Sequence, residues 1–191
     1  MTDRPTSTRL PPVEQSQWTP SARELLAGVS DGDQVPNIFA TLIRAEGLLR
    51  KWLPFGGKLL NGKIPIRDRE LLVLRTGWNC RAEYEWAQHV AIGLKVGLTR
   101  DEIDKVATGP AADWDEFDAA LLRAADELNS NFCLSDETWS ALADRYNEQQ
   151  MIEVLMLVGQ YTMIAMTLNS LGVPLDSDIE LSGRVLHGGD R

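Results

Sequence analysis

The segment from residue 82 to residue 89 contains the residues best suited to chemistry, a glutamate and a histidine four positions apart. On a helix, Glu85 and His89 project from the same face, one turn apart. A carboxylate beside an imidazole orients the ring and raises its pKa, and the ring exchanges a proton near neutral pH. Glu70, on the preceding predicted helix, joins this pair if the two helices pack antiparallel. The spacing therefore predicts a proton-transfer site made of Glu70, Glu85 and His89.

The same pair also has a purely structural interpretation. A glutamate and a histidine four residues apart on a helix are usually only a surface contact. A buried His or Glu, in contrast, needs a polar partner. Burial is favoured by the bulky apolar residues on both helices, which are Leu71, Leu72, Leu74, Tyr84, Trp86, Val90 and Ile92. We therefore expect a paired, buried polar site, which by itself does not require catalysis.

Metal and thiol chemistry are the alternatives for this segment. Zinc sites usually contain several histidines, but the chain has only His89 and His187, and the common metal-binding motifs do not occur. We therefore expect no metal and no cofactor. Cys80 lies near the start of the predicted helix, where the pKa of a thiol can be lowered. Most lone cysteines are packing residues, and Cys133 is remote in sequence, so Cys80 is only a possible reactive thiol.

Composition narrows the classes of function. The formal net charge of −9 and the sequence pI of about 4.7 argue against a nucleic-acid binder, which needs a basic face. The longest apolar-rich stretch, 154–171, is interrupted by polar residues and glycine, and the N-terminus does not resemble a signal peptide. Two cysteines imply no disulfide framework. A chain of 191 residues with this composition is expected to be a single-core cytoplasmic protein that binds no membrane.

Helical periodicity and capping signals predict an all-α fold for the elements that must position the site. Thr19-Pro20 opens a first helix, Thr99 and Glu102 form a capping box, and Gly97 and Gly172 are placed to end helices. Residues 52–62 are expected to form a connector. The predicted helices cover about residues 20–27, 37–51, 66–78, 82–96, 100–108, 116–129, 136–145 and 148–170.

The run from Ile66 to His89, with Glu70, Tyr84-Glu85-Trp86 and His89 as its most specific part, resembles the signature of the carboxymuconolactone decarboxylase-like family. This family belongs to the alkyl hydroperoxidase D-like superfamily. The resemblance implies an all-helical bundle that is usually oligomeric. We divide the chain into an N-terminal arm and short helix (1–34), the family domain (35–175) and a C-terminal tail (176–191).

The resemblance also implies two alternative chemistries. Alkyl hydroperoxidase D uses a Cys-x-x-Cys pair, and alignment on Glu70 and His89 puts the two redox positions at Ala82 and Glu85. Cys80 falls two positions before the first of these. A peroxidase, or peroxiredoxin, activity that passes through a disulfide is therefore disfavoured.

The second chemistry is the decarboxylation of 4-carboxymuconolactone, or a related lyase or isomerase step, without a cofactor. In this interpretation His89 donates the proton. Glu85 orients the imidazole of His89 or favours its charged form, and Glu70 completes the hydrogen-bond network. Arg75 is a candidate to bind a substrate carboxylate, although a structural salt bridge is the commoner role for such a residue. Tyr84, Trp78 and Trp86 are candidates to line a pocket, with core packing as the alternative for at least two of them.

Three hypotheses follow for the function. The first is an acid–base enzyme acting on a small carboxylated or lactone-type substrate, the second is a peroxidase that uses Cys80, and the third is a non-catalytic oligomeric protein. In each case we expect a homo-oligomer, whether dimer, trimer or hexamer, because apolar and aromatic residues are plentiful on many helices.

Overall fold

The computed structural model describes residues 5, 7–30 and 34–179, and within these residues the regular secondary structure is helical, with no strand. The predicted all-α fold is confirmed. Short 3₁₀ turns occur at Gln15–Gln17 and Ile43–Ala45. The α-helices, in chain order, are α1 (Pro20–Ala27), α2 (Asn37–Leu42), α3 (Glu46–Leu60), α4 (Ile66–Asn79), α5 (Glu83–Lys95), α6 (Arg100–Thr108), α7 (Glu116–Asn131), α8 (Asp136–Ala143) and α9 (Glu148–Leu171).

Several helix boundaries lie where the capping signals predict them. The Thr19 hydroxyl accepts a hydrogen bond from the backbone N–H of Ala22, and the capping box of Thr99 and Glu102 is formed. Gly172 ends α9 in the left-handed conformation, with a φ of 64°. Short-range signals therefore determine these boundaries without help from the rest of the fold.

The region between residues 37 and 62 differs from the prediction. The helix predicted for residues 37–51 is interrupted by the 3₁₀ turn, and α3 then continues through the predicted connector to Leu60. It does so although Pro54 lies inside it and cannot donate a hydrogen bond to the preceding turn. Leu49 and Leu59 are buried on either side of this proline. Tertiary packing of the apolar face of α3 thus offsets the local cost of Pro54.

Helix α4 lies at the centre of the fold and packs against α5, α6, α7 and α9. Leu71, Leu72, Val73 and Leu74 are all buried, so this helix is covered on every side rather than on one stripe. The main core forms around it from α5 to α9. A residue on α4 can consequently face a site inside the protein, as Glu70 does.

Helix α1 and residues 172–179 both pack onto the helical body. Ala22 and Leu26 of α1 form a small apolar cluster with Ile43 and Leu49. The segment 172–179, which we call the C-terminal strap, returns across α2 and α5. Of the predicted tail, residues 176–179 are among the described residues, and His187 lies outside them.

Helix α9 is the most apolar element. By length and composition it could cross a membrane, but half of its apolar window is buried inside the protein, as in a core helix. The other side of the helix exposes large apolar side chains at helical spacing. We call this surface the α9 stripe; it consists of Ile152, Leu155, Met156, Met163 and Met166.

Candidate active site

A tight turn between α4 and α5 places the predicted site residues on facing helices. Arg81 takes a left-handed φ of 51°, and the backbone N–H of Ala82 donates to the carbonyl of Gly77 at 2.8 Å. The chain then reverses, so that Gly77 lies beside Glu85 and Glu70 lies beside His89. This is the antiparallel arrangement that the three residues need in order to meet.

The structure brings Glu70 and His89 into direct contact. The Nδ1 atom of His89 lies 2.7 Å from Oε2 of Glu70, and both side chains are buried. Burial alone would raise the pKa of Glu70, but the hydrogen bond and charge of His89, together with the charge of Arg69, lower it overall. Glu70 is therefore ionised at neutral pH and accepts the Nδ1 proton. The Nε2 atom of His89 is left facing away from Glu70.

Arg69 completes the support on the other side of Glu70. Its guanidinium donates to Oε1 of Glu70, at 2.8 Å from Nε and 2.6 Å from Nη2, and also to the carbonyl of Leu60. Both carboxylate oxygens of Glu70 are thus engaged. Among the described residues, no group of three or more His, Cys, Asp or Glu side chains is arranged to hold a metal ion.

Glu85 lies on the opposite side of the imidazole and in a different environment. Its Oε2 atom is 3.7 Å from Nε2 of His89, which is too long for a direct hydrogen bond. Burial raises the pKa of Glu85, and the charge of His89 opposes this only in part. The pKa values of the two carboxyl groups beside His89 are therefore shifted in opposite directions, lowered for Glu70 and raised for Glu85.

Glu85 and His89 open onto an internal cavity of about 600 Å³. Its walls come from α1, α2, α3, α5, α9 and the loops beside α1 and α2, which are distant in sequence. Tyr161 of α9 stands edge-on to His89, with 4.9 Å between the ring centroids. Most of the remaining wall is apolar, including Leu25, Val29, Ile38, Phe39, Leu53, Pro54, Leu60, Ile92 and Ile164. The volume is that of a site for a small molecule.

Five polar groups beyond the predicted set also line this cavity: Arg50, Trp52, Gln88, Gln160 and Tyr161. None of the five was predicted as a site residue. Gln160 had a usable signal, because it is an amide within the most apolar helix of the chain. Trp52 had none, since it lay in a segment interpreted as a connector.

Tyr84 lines the cavity, but its hydroxyl already has partners. It donates to Oδ2 of Asp176 in the C-terminal strap at 2.6 Å and accepts from the backbone N–H of Ile38 at 3.2 Å. Burial and the hydrogen bond to Asp176 raise the pKa of Tyr84, so it stays neutral. Its position indicates that Tyr84 forms part of the cavity wall and holds the C-terminal strap in place.

Three other residues predicted to bind substrate, Arg75, Trp78 and Trp86, are not among the described residues that line the cavity. Arg75 forms a two-pronged pair with Asp126, at 2.6 and 2.9 Å, and donates to two backbone carbonyls of α6. Trp86 is 1% exposed in the main core, and Trp78 packs against it with 5.1 Å between ring centroids. The alternative roles, a structural salt bridge and core packing, apply to these residues.

Cys80 is also separate from the cavity wall. It is the C-terminal cap of α4, and its sulfur accepts a hydrogen bond from the side-chain amide of Asn129 at 3.5 Å. Ala82, at the first redox position of the resemblance, is fully buried, and Glu85 holds the second. The thiol therefore lies outside the constellation formed by Glu70, Glu85 and His89.

The chain was compared with known families and proteins. Residues 46–129 match the model of the carboxymuconolactone decarboxylase family. This range contains α3 to α6 and most of α7, and with them Glu70, Glu85 and His89. A comparison with the curated proteins gives no match.

Solved structures share the fold at low sequence identity. An alkylhydroperoxidase AhpD core protein from Ralstonia eutropha JMP134, described as an uncharacterized peroxidase-related protein, is 20% identical, with a TM-score of 0.79 over 90% of this chain and 93% of its own. A peroxidase-related protein from Silicibacter sp. TM1040 is 12% identical, with a TM-score of 0.78 over 93% and 96%. The debrominase Bmp8 is 15% identical, with a TM-score of 0.68 over 91% and 95%.

Proposed function

We propose that this chain is an enzyme of acid–base type, because residues 46–129 match the carboxymuconolactone decarboxylase family model and the fold is shared with an alkylhydroperoxidase AhpD core protein. It moves a proton to or from a carbon atom of a small carbonyl compound, in a decarboxylation or a related lyase or isomerase step. The observation that supports this is the asymmetric placement of His89 at the wall of the cavity, between Glu70, whose pKa is lowered, and Glu85, whose pKa is raised.

The proton transfers are assigned as follows. The Nε2 atom of His89 takes a proton from a carbon next to the substrate carbonyl, while the neutral carboxyl of Glu85 donates to the carbonyl oxygen. Glu70 stabilises the imidazolium that forms, because it stays charged and bonded to Nδ1. Return of the proton to another carbon gives an isomer. In a decarboxylation, Nε2 of His89 takes the proton of the substrate's carboxylic acid, carbon dioxide leaves as electrons move into the conjugated carbonyl, and the imidazolium returns that proton to carbon.

The dithiol peroxidase is the weaker candidate. Ala82 and Glu85 occupy the two positions where the resemblance requires thiols. Disulfide exchange needs a thiolate at each end of the reaction, and neither residue supplies one. The name of the debrominase Bmp8, which shares the fold, describes that protein and does not assign its reaction to this chain.

The experiment follows proton exchange and carbon dioxide release. Purified protein is incubated with 4-carboxymuconolactone, and separately in D₂O with a panel of small lactones and cyclic ketones whose deuterium uptake is followed by NMR. We expect turnover or exchange that falls by a factor of about 100 or more in His89→Gln, as for loss of an acid–base group. Cys80→Ser, outside the site, is the matched control. Exchange that is equal in wild type and His89→Gln would overturn the proposal.

The surroundings of the enzyme are part of the same proposal. We propose a cytoplasmic homo-oligomer with a small-molecule substrate. The net charge of −9 disfavours nucleic acid, and the α9 stripe supplies an apolar surface that a second subunit would cover. Closed rotational symmetry makes a dimer, trimer or hexamer the natural assembly.

A further inference from the structure

Two polar atoms at the cavity are buried and have no hydrogen-bond partner among the described residues: Nε1 of Trp52 and Oε1 of Gln160. The Gln160 residue is only 6% exposed. A buried donor or acceptor without a partner costs about 1–3 kcal/mol, so folded proteins rarely leave one unexplained. Because both residues line the cavity, a bound molecule can provide both partners.

The two groups flank one point on the inner face of α3. A Cβ atom on Gly56 would lie 3.4 Å from Nε2 of Gln160 and 3.7 Å from Cε2 of Trp52, the ring carbon bonded to Nε1. The glycine leaves this point free of a side chain. An indole donor and a carboxamide are thus presented side by side to the same occupant.

The charge of the wall indicates that this occupant is neutral. Arg50 is the one Arg or Lys among the described lining residues, and it donates to Oε1 of Glu46 at 2.8 Å and to Oγ of Ser21 at 2.9 Å. Its side chain is 43% exposed, so it stands at the rim. Burial of a charged group without a partner costs far more than burial of a neutral one. A carboxylate deep in the cavity would meet no unpaired cation of this kind.

We propose that the cavity binds neutral cyclic carbonyl compounds that also carry a ring N–H or O–H donor, lactams being the simplest class. The carbonyl oxygen accepts a hydrogen bond from Trp52, the ring donor is accepted by Gln160, and the apolar wall covers the carbon skeleton. The inference rests on the proposed function, because it names the substrate class of the same site. It also favours the lactone-type substrate of that proposal over the carboxylated one.

The test uses four probes of similar size, with binding measured by calorimetry. Dihydroquinolinone offers a carbonyl and an N–H, tetralone offers a carbonyl alone, tetralin offers neither, and hydrocinnamate is a carboxylate. We expect affinity to fall by about 3- to 10-fold from dihydroquinolinone to tetralone, and again from tetralone to tetralin, as each hydrogen bond is lost. Hydrocinnamate should bind more weakly than dihydroquinolinone.

Two variants test which residue accounts for each decrease in affinity. Trp52→Phe should abolish the difference between tetralone and tetralin, and Gln160→Leu should abolish the difference between dihydroquinolinone and tetralone. Retained binding of tetralin shows that the cavity of each variant is intact. Equal affinities for dihydroquinolinone and tetralin, tighter binding of hydrocinnamate, differences that survive both variants, or no binding of any probe would overturn the inference.

Binding and turnover separate this inference from the proposed function. The order of affinities requires no chemistry, whereas proton exchange requires His89. The expected order without any His89-dependent exchange would refute the enzyme and keep the binding class. His89-dependent exchange on other substrates, without the expected order of affinities, would keep the enzyme and refute the binding class.

Discussion

The Nδ1 atom of His89 is held 2.7 Å from Oε2 of Glu70, and this contact decides which nitrogen of the ring faces the cavity. Glu70 in turn is held by Arg69 at 2.6 Å. A ring fixed through Nδ1 presents Nε2 to Glu85 and to the cavity. The helix-to-helix contact therefore sets the tautomer and, in the proposed reaction, the nitrogen that exchanges the proton.

Replacing Glu70 by Gln should weaken both the fold and the activity. Removal of the charge leaves the largely buried guanidinium of Arg69 without its anionic partner, which should lower the free energy of unfolding by about 3 kcal/mol at pH 7. The pKa of Glu70 is lowered in the folded state, so its stabilisation is present above pH 4.5 and is lost as the pH falls through the folded pKa. Denaturant unfolding at several pH values measures this.

The control for that measurement is Glu24→Gln, which changes an exposed glutamate on α1. It should leave the free energy of unfolding within about 0.5 kcal/mol of wild type. A Glu70→Gln protein as stable as wild type at pH 7, or a stability difference that grows on acidification, would contradict the assignment.

Replacing Glu85 by Gln should have the opposite pH signature. Burial raises the pKa of Glu85, so the folded state retains a proton that the unfolded state loses above pH 4.5. Wild-type stability therefore falls as the pH rises from 4.5 through the folded pKa, and Gln, which does not titrate, removes this loss. Melting temperatures between pH 4.5 and 8 should decline less in Glu85→Gln than in wild type. Parallel curves for the two proteins would mean that Glu85 titrates normally.

The sequence predicts the half of the site that lies on two consecutive helices. The spacing of Glu85 and His89 depends only on helical geometry, and a reversal of the chain suffices to add Glu70. The other half depends on packing at long range, since Trp52 reaches the cavity on a helix that runs through Pro54. Local rules favour a connector there, and only the completed fold shows that burial of α3 outweighs them.

Substitution of Cys80 should not affect the reaction. Its sulfur contacts Asn129 and lies outside the cavity wall, so Cys80→Ser should keep wild-type proton exchange within about 2-fold. Wild type and variant should also consume no hydroperoxide in the presence of a thiol reductant. Hydroperoxide consumption that disappears in Cys80→Ser would restore the peroxidase hypothesis.

The C-terminal strap should loosen when Asp176 is replaced. This carboxylate accepts from the backbone N–H of Asn37 at 2.6 Å, from the Tyr84 hydroxyl at 2.6 Å and from the Gln88 amide. Asp176→Ala removes three contacts and should lower the free energy of unfolding by about 2–4 kcal/mol. Hydrogen exchange should rise at α2 and at residues 172–179. Glu137→Ala, at an exposed position of α8, is the control, and unchanged protection at α2 would contradict a fastening role.

The α9 stripe should mediate assembly. Met163→Lys with Met166→Lys places two charges on this apolar surface, where both side chains are exposed in the single chain, at 43% and 60%. Light scattering after gel filtration should show a lower mass than wild type. Trp139→Lys, on the exposed side of α8, is the matched control and should leave the mass unchanged. A wild-type monomer would refute the proposed oligomer.

Asp176 contacts residues that are synthesised long before it, and this fixes the order in which parts of the protein can fold during biosynthesis. Its side chain joins positions 139 and 92 residues earlier, Asn37 and Tyr84, which both belong to the cavity region. A nascent chain that has not yet exposed Asp176 can form α4 and α5 but cannot fasten α2 over them. The contact between Glu70 and His89 is thus made early, and its enclosure comes late. A chain released before residue 176 would display the apolar wall to water and become a substrate for chaperones or proteases.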